Sequence, residues 1–368
     1  MNHPDHEPAR RVRLSVVVVT HNCRGAVRRS LPPLVAQLGD GDELIVVDNA
    51  SSDGTVAAVR ELAPGAIVVE PGRNLGFAAG CNAGAEPASA ELLLFLNPDA
   101  VVGPGFRDAI ALPLSDGRGW SAWMGLVTAQ AGRVVNTDGG VVHFTGIAWA
   151  GGAGQPRDPE DDSAPRDVGF SSGDCLAIPR PAWDEAGGFP ARFFLYHEDV
   201  DLSLRLRLAG GVVGIEPSAV VDHEYEFEKG AAKWRYMERN RWATIVRTYP
   251  AGLLVLLAPA LLATELALVG ISIAGGWGRQ KLLAWTDVVR WLPRIVRERR
   301  EIQGRRTIGA GQFAAQLTSE LSSLHLGPVA RVAPVRWAVR AYWSVVRALL
   351  AAPSARSSEG APSDPPSV

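Results

Sequence analysis

Residues 14–19 (LSVVVV) form an apolar, β-branched run that empties into the polar triplet Thr20, His21 and Asn22. Such a run reads as a parallel strand buried on both faces, with a helix over about residues 25–38 after it. The unit then recurs. Residues 43–47 (ELIVV) make a strand, DNASSDGT a polar loop, and residues 56–62 a short helix that starts at Asp53 or Thr55; residues 66–70 (AIVVE) make the next strand. A fourth strand, residues 91–96, ends in Asn97, Pro98 and Asp99. Alternating strands and helices predict an α/β fold with a mostly parallel central sheet covered on both faces.

In such sheets ligands bind outside the carboxyl ends of the strands. Thr20 to Asn22, Asp48 with Asn49, and Asn97 to Asp99 all fall there, and three polar clusters in register predict one shared site. Residues 120–149 turn to short strands and glycine-rich turns, read as antiparallel additions. Residues 154–167 (GQPRDPEDDSAPRD) read as an acidic, solvated loop. In residues 193–211 (FFLYHEDVDLSLRLRLAGG), Val200, Leu202, Leu204, Leu206 and Leu208 alternate as in a strand, yet Leu and Arg favour helix and Gly210–Gly211 would stop one. This stretch is expected to be helical.

Beyond Tyr249 the pattern changes. Residues 252–273 are 22 residues with a single charge, Glu265, and as a helix would run about 33 Å, enough to cross a bilayer. Basic residues flank both ends, however: Arg241 and Arg247 before, Arg279 and Lys281 after. One crossing would export a basic flank, and Pro259 and Glu265 interrupt the run. A re-entrant or surface-lying helix is therefore favoured over a true span, and a span over a buried core helix. Next, Leu282, Trp285, Val288, Val289, Leu292, Ile295 and Val296 form an apolar stripe with Arg290, Arg294 and Arg297 on another face, an interfacial amphipathic pattern. Residues 335–350 form another amphipathic stretch carrying Trp337, Tyr342 and Trp343. The expected organisation is a disordered N-terminus (1–12), an α/β domain carrying the shared site (13–248), a helical membrane-associating region (249–352) and a disordered Pro/Ser-rich tail (353–368).

Composition narrows the function. At 47% hydrophobic and 21% charged, the 368 residues can bury a large core. Thirty-seven basic against 39 acidic side chains leave a net charge of −2, which offers no field for gripping nucleic acid. Cys23, Cys81 and Cys175 are far apart and include no CxxC pair, so neither a disulfide framework nor a thiolate zinc site is expected. The first dozen residues lack an apolar segment of the secretory kind, so the N-terminal half is expected to stay in the cytoplasm.

Several residue types carry chemistry in this pattern. Asp48, at a strand end, can accept the imide N–H of a uracil or thymine base, while Asp48 or Asp53 can equally cap the next helix. Asp99 is a lone carboxylate at the end of an apolar strand, enough for a divalent ion whose other ligands are phosphate oxygens and water. Glu198, Asp199 and Asp201 crowd together, so at least one should hold its proton more tightly, as a general base requires. The bland account is a helix N-terminus enriched in acids to match its dipole. His223 in VVDHEYE can ligate a metal, touch phosphate or serve structure.

Together these segments resemble the family 2 inverting glycosyltransferases, which have a GT-A fold, and most closely their rhamnosyltransferase-type branch. The matching stretches are VVVVTHN (16–22), VVDNASSDGT (46–55), GRNLGFAAGCNAG (72–84), LNPDA (96–100), SGDCLAIPR (172–180) and YHEDVDLSLRLRLAGG (196–211). They run in the family's order and span roughly residues 14–245. The resemblance implies that Thr20, Asn22 and Asp48 hold the base and ribose, and that Arg73, Asn74, Asn82 and Asn97 line the nucleotide-sugar pocket. Asp99 stands where the family's metal-binding Asp-X-Asp motif ends, with Asn97 in place of its first acid, and His223 falls where some members place a further ligand for Mg²⁺ or Mn²⁺. Asp199, with Glu198 beside it, matches the catalytic base.

The implied reaction is a single in-line displacement from a dTDP- or UDP-sugar, rhamnose being suggested by the branch. The implied acceptor is a cell-envelope or lipid-linked glycan at the cytoplasmic face of the cell membrane. Residues 238–242 (ERNRW) nearly reproduce the Gln-X-X-Arg-Trp motif of processive synthases, which puts Asp201, Arg241 and Trp242 on the acceptor side. Glu238 breaks that match, so transfer of one sugar is favoured over polymerisation. A non-catalytic scaffold of the same fold is the alternative outside enzymology, and it would be expected to lose the acids that are present here.

Overall fold

The computed structural model describes residues 11–158, 164–223, 230–320 and 332–351. Strand β1 (Leu14–Thr20) is buried along its whole length. It lies parallel to β2 (Glu43–Asp48) on one side and to β4 (Leu92–Leu96) on the other, and β3 (Ile67–Val69) extends the sheet beyond β2. Helices α1 (Arg24–Val35), α2 (Thr55–Leu62) and α3 (Gly76–Ala85) connect these strands. Helix α2 starts at Thr55, the second of the two expected starts. The Asp53 carboxylate accepts from the backbone N–H of both Arg24 and Thr55, so it secures the first turns of two helices at once. Helix α3 approaches the sheet closely because Gly84 has no side chain: a Cβ there would meet Val17 Cγ1 at 2.3 Å and Val47 Cγ2 at 2.9 Å.

After β5 (Val101–Val102) and α4 (Phe106–Ser115) the sheet becomes mixed. Strand β6 (Ala122–Ala129) is antiparallel to β7 (Val134–Thr137) and β11 (Cys175–Pro179) but parallel to β12 (Val213–Asp222). Strand β11 inserts antiparallel between β4 and β6. The order of the main sheet is β10-β12-β6-β11-β4-β1-β2-β3, and β8 (Gly140–Val142) with β9 (Ala148–Ala150) forms a separate hairpin. The acidic stretch expected to be a solvated loop ends in a short strand, β10 (Arg166–Asp167), paired with β12, because that edge would otherwise stay open. Residues 159–163 of that stretch, the tail at 353–368 and most of the N-terminal segment lie outside the described residues.

Helix α5 (Arg180–Ala186) follows β11, and α6 (Glu198–Leu208) occupies the ambiguous stretch. Alternating Val and Leu suit α6 because it is buried on nearly every side, so no polar face is required of it. A charged helix, α7 (Ala232–Thr248), packs beside it. Then come α8 (Ala251–Ala274), α9 (Gly278–Gly304), α10 (Ala310–Ala314) and α11 (Ala333–Ala351). A second core joins Leu204 and Leu208 of α6, Ile245 of α7, Leu253, Leu257 and Leu261 of α8, Phe313 of α10 and Trp343 of α11. Residue 248 therefore marks a change of composition rather than a break in packing.

Asp201, expected on the acceptor side, is instead fully buried between α6 and α7. Its two oxygens lie 2.7 Å from Arg205 Nε and 2.7 Å from Arg247 Nη1. Arg205 in turn donates to the carbonyl of Gly188 at 2.7 Å and also to that of Ala186. A carboxylate on the inward side of a buried helix has to be paired, which takes it away from any cleft. Asp201→Ala should destabilise the fold by about 3–5 kcal/mol, because it removes the buried carboxylate that Arg205 and Arg247 share. Urea denaturation followed by circular dichroism measures this, and an unchanged midpoint would exclude the ion pair as a structural tie.

Candidate active site

The β1–β2 register places Thr20 directly beside Asp48. Thr20 Oγ1 donates to Asp48 Oδ1 at 2.8 Å, and the Ser51 N–H donates to Oδ2 at 2.8 Å. Asp48 is buried and held rigidly, and each oxygen keeps a further lone pair. Asn22, exposed and in the left-handed region at φ 50°, accepts from the Ser52 N–H at 2.8 Å, so it stitches the first polar loop to the second. Asn49, which sequence reasoning placed in the cluster without a role, accepts from Leu75 N–H at 3.2 Å and donates to Gly76 O at 3.1 Å. It anchors the loop carrying Arg73 and Asn74. Asn74 accepts from Gly76 N–H at 2.8 Å, and both Arg73 and Asn74 are exposed.

Asn82, expected to line the donor pocket, is committed elsewhere. Its amide donates to Phe189 O and accepts from Phe189 N–H, both at 2.9 Å, so it secures the turn after α5. It sits on α3, and the turn packed against that helix has backbone groups needing partners.

Around the end of β4 four side chains converge. Asp99 Oδ1 is 3.0 Å from His223 Nε2. Asn97 Nδ2 donates to Asp174 Oδ1 at 2.7 Å and lies 3.5 Å from His223 Nε2. The strand pairing explains this: Cys175 of β11 is in register with Leu96 of β4, which sets Asp174 beside Asn97. Asp174 is the site residue that sequence reasoning missed, although it lies within the matching SGDCLAIPR stretch; only the antiparallel insertion of β11 shows what it faces. Among the described residues no group of three or more His, Cys, Asp or Glu side chains is placed to hold a metal ion. Asp99 and His223 form a pair of suitable donors, a carboxylate and an imidazole, leaving further positions to phosphate oxygens and water.

The same cluster reaches α6. Asp199 Oδ2 accepts from Gly173 N–H at 3.0 Å, next to Asp174, and Oδ1 accepts from Val200 N–H at 2.7 Å. Burial, opposed by these hydrogen bonds and reinforced by the Asp174 charge, pushes the Asp199 carboxyl up to about 6. Glu198 is more enclosed; burial first and Asp199 second raise it well above the usual carboxylate range. Burial rather than the crowding of the acids is the larger cause of both shifts. Glu198 Oε2 has no hydrogen-bond partner among the described residues, consistent with a neutral carboxyl.

Arg241 and Trp242 differ from expectation. Arg241 is buried, with guanidinium bonds to Glu238, Glu265 and the carbonyl of Thr145, and the Trp242 indole N–H donates to Glu265 at 3.1 Å. Both are bound to the one acid of the apolar helix α8, since a carboxylate in so apolar a stretch collects every donor within reach. The Arg241 guanidinium and the Trp242 indole N–H are thus both engaged within the protein.

The chain matches two family models, "Glycosyl transferase family 2" over residues 15–125 and "Glycosyl transferase family group 2" over residues 158–352. It is 31% identical over 260 residues to an N-acetylglucosaminyl-diphospho-decaprenol L-rhamnosyltransferase found in two strains of Mycobacterium tuberculosis, covering 63% of this chain and 83% of the relative. Among solved structures it superimposes on GalNAc-T7 with UDP, GalNAc and Mn²⁺ at a TM-score of 0.53 and 17% identity, covering 65% of this chain and 48% of that one, about half its length. This chain belongs to glycosyltransferase family 2: it has the GT-A fold and transfers a sugar from a nucleotide-sugar donor.

Proposed function

We propose that this enzyme transfers rhamnose from a nucleoside diphosphate donor, with inversion, to an N-acetylglucosamine carried on a polyprenyl diphosphate at the cytoplasmic face of the membrane. The observation that carries the catalytic part is the convergence of Asp199, whose proton affinity is raised, with Asp174, Asn97, Asp99 and His223 at the carboxyl ends of the strands. The sugar and the acceptor are inferred from the mycobacterial relative's activity.

In this reading Asp48, Thr20 and Asn22 hold the base and ribose, and Arg73 and Asn74 face the diphosphate. Asp99 and His223 would hold a divalent cation, Mg²⁺ or Mn²⁺, which when bound offsets charge on the departing diphosphate. The acceptor hydroxyl attacks the anomeric carbon and gives its proton to Asp199; the carbon–oxygen bond to the acceptor forms as that to the diphosphate breaks. Asp174 and Asn97 keep the two halves of the site in register. Rate comes largely from alignment, with proton transfer adding its own factor.

The membrane reading rests on an inverted helix. Along α9 the buried face carries Lys281, Ala284, Asp287 and Ile295, while Leu282, Val289 and Leu292 are exposed. Lys281 and Asp287 face inward because they pair with Glu238 and Arg235 of α7. The expected stripe is therefore split, with Ile295 on the protein side. The neighbouring α8 is the one described helix long and apolar enough to cross a membrane. One face of it, Leu253, Leu257 and Leu261, packs in the second core, while Leu262 and Leu266 are exposed by 62% and 66%. Helices that turn apolar faces outward while anchored to a globular core suit a lipid surface. Arg290, Arg294 and Arg297 are exposed and suit anionic headgroups.

Three outcomes test this. Asp199→Asn should lower kcat about 10²–10⁴-fold, and the wild-type rate should fall below a pH near 6, where Asp199 takes up its proton. Because that value lies above the ordinary ~3.9 of an aspartate, ionisation costs folding stability as pH rises through this window. The difference in Tm between variant and wild type should therefore move in the variant's favour between pH 4 and pH 8; a wild-type rate contradicts the base assignment, and a difference that does not change with pH contradicts the raised proton affinity.

With GlcNAc-diphosphopolyprenol as acceptor and a panel of dTDP-, UDP- and GDP-sugars, dTDP-rhamnose should be consumed, and EDTA or Asp99→Ala should abolish turnover. Use of a UDP- or GDP-sugar instead overturns the donor. Finally, the triple variant Leu262→Gln, Leu266→Gln, Val289→Gln should lose most of its flotation with phosphatidylglycerol vesicles at unchanged Tm; unaltered flotation removes the membrane face.

A further inference from the structure

The turn that leads into α6 is bent against the preferences of its residues. Phe194, Tyr196 and His197 have φ of 64°, 71° and 66°, left-handed values that a bulky side chain disfavours. None of the three is glycine or asparagine, so the bend has to be imposed from outside. On one side the backbone N–H groups of Phe77 and Ala78, in the first turn of α3, donate to Phe194 O at 2.7 and 3.3 Å. Gly76 makes room for this contact, since a Cβ there would lie 2.5 Å from the same carbonyl.

On the other side stands Asn240 of α7, which has no solvent exposure. Its Nδ2, with two hydrogens shared among them, lies within hydrogen-bond distance of three carbonyls of the turn: Phe193 at 3.0 Å, Leu195 at 3.0 Å and Tyr196 at 2.7 Å. Its Oδ1 accepts from Arg239 Nε at 2.9 Å, which fixes the orientation of the amide, and Arg239 Nη2 adds a bond to Phe193 O at 2.8 Å. Three carbonyls on one tight turn require a short side chain with N–H donors. Aspartate would set acceptor against acceptor, and an apolar residue would leave the carbonyls unpaired. Asp199 lies two residues beyond the turn, with its carboxylate bonded to Gly173 N–H at 3.0 Å. The acids around Asp199 are Glu198 on its own helix and Asp174 on the loop before β11.

We propose that Asn240 is a positioning residue for sugar transfer: its carboxamide holds the 193–197 turn in the left-handed conformation and thereby sets where the Asp199 carboxylate stands. The proposal rests on Asp199 being the base, and it assigns a task to a buried α7 residue between Glu238 and Arg241 that touches neither donor nor acceptor.

The test uses the full-length enzyme and compares Asn240→Ala, Asn240→Ser, Thr244→Val and Asp199→Asn. Thr244 is buried one turn further along α7 and serves as the packing control. Asn240→Ala should lower kcat about 30-fold or more while the donor KM stays within about threefold. The acid limb of its pH–rate profile should move below that of wild type, because a loosened turn hydrates Asp199. Asn240→Ser, small and still a donor, should fall between the two, and it replaces Asn240→Ala if that variant does not fold. Thr244→Val should keep the wild-type kcat and acid limb.

If the Asn240 variants lower Tm alone, with kcat and the acid limb of the folded enzyme unchanged, the residue is merely structural and the proposal is overturned. Equal losses in Thr244→Val overturn it as well, by showing a packing effect. If Asp199→Asn retains the wild-type rate, the base assignment fails and this proposal fails with it. If Asp199→Asn is inactive while both Asn240 variants are normal, the positioning role alone is lost.

Discussion

Burying a helix as charged as α7 obliges everything around it to supply a partner. Lys233, Glu238, Arg239, Arg241 and Arg247 are each less than a tenth exposed, and an unpaired charge in that setting would cost several kcal/mol. The neighbouring elements answer one by one: Arg247 meets Asp201 of α6, Arg241 meets Glu265 of α8, Glu238 meets Lys281 of α9, and Arg239 lies over the Trp291 ring at 4.3 Å. The outward apolar face of α9 follows from this constraint. Lys281 and Asp287 are drawn inward by α7, so Leu282, Val289 and Leu292 are left on the outside.

The same helix links the two functional surfaces of the molecule. Toward the sheet it grips the turn before α6, which leads to the proposed base Asp199; away from the sheet it holds the helices proposed to rest on lipid. A lipid-linked acceptor must be met by a catalytic group at a defined height above the membrane. One helix with most of its buried charges paired, set between the two proposed surfaces, is a direct way to set that height. The interior ion pairs serve geometry here more than net stability, because well-packed apolar residues would stabilise a core at least as well.

Much of the catalytic half was legible from residue patterns. The runs at β1, β2 and β4 are apolar, those at β1 and β2 also β-branched, because those strands are buried on both faces, and their polar ends fall level because parallel strands in register end together. That is why Thr20, Asp48, Asn97 and Asp99 could be named together in advance. Glu198 and Asp199 were legible as a crowded acidic pair at a helix start. Asp174 was not, since its place depends on an antiparallel strand inserted from far along the chain, and nothing local marks which carboxylate such a strand will carry to Asn97.

Hydrophobic period and strand-end chemistry, being local properties, determined the α/β architecture, the level of the site and the identity of most acids in it. Partnership was decided only in three dimensions. Asp201 and Asp199 are two positions apart on one helix, yet one is sealed in an ion pair and the other opens toward the β4 cluster. Asn82 reads as a pocket residue until Phe189 claims both ends of its amide. A side chain's role depends on which groups the fold brings within about 3 Å of it, and for Asn240, Arg241 and Glu265 those groups come from segments remote in sequence.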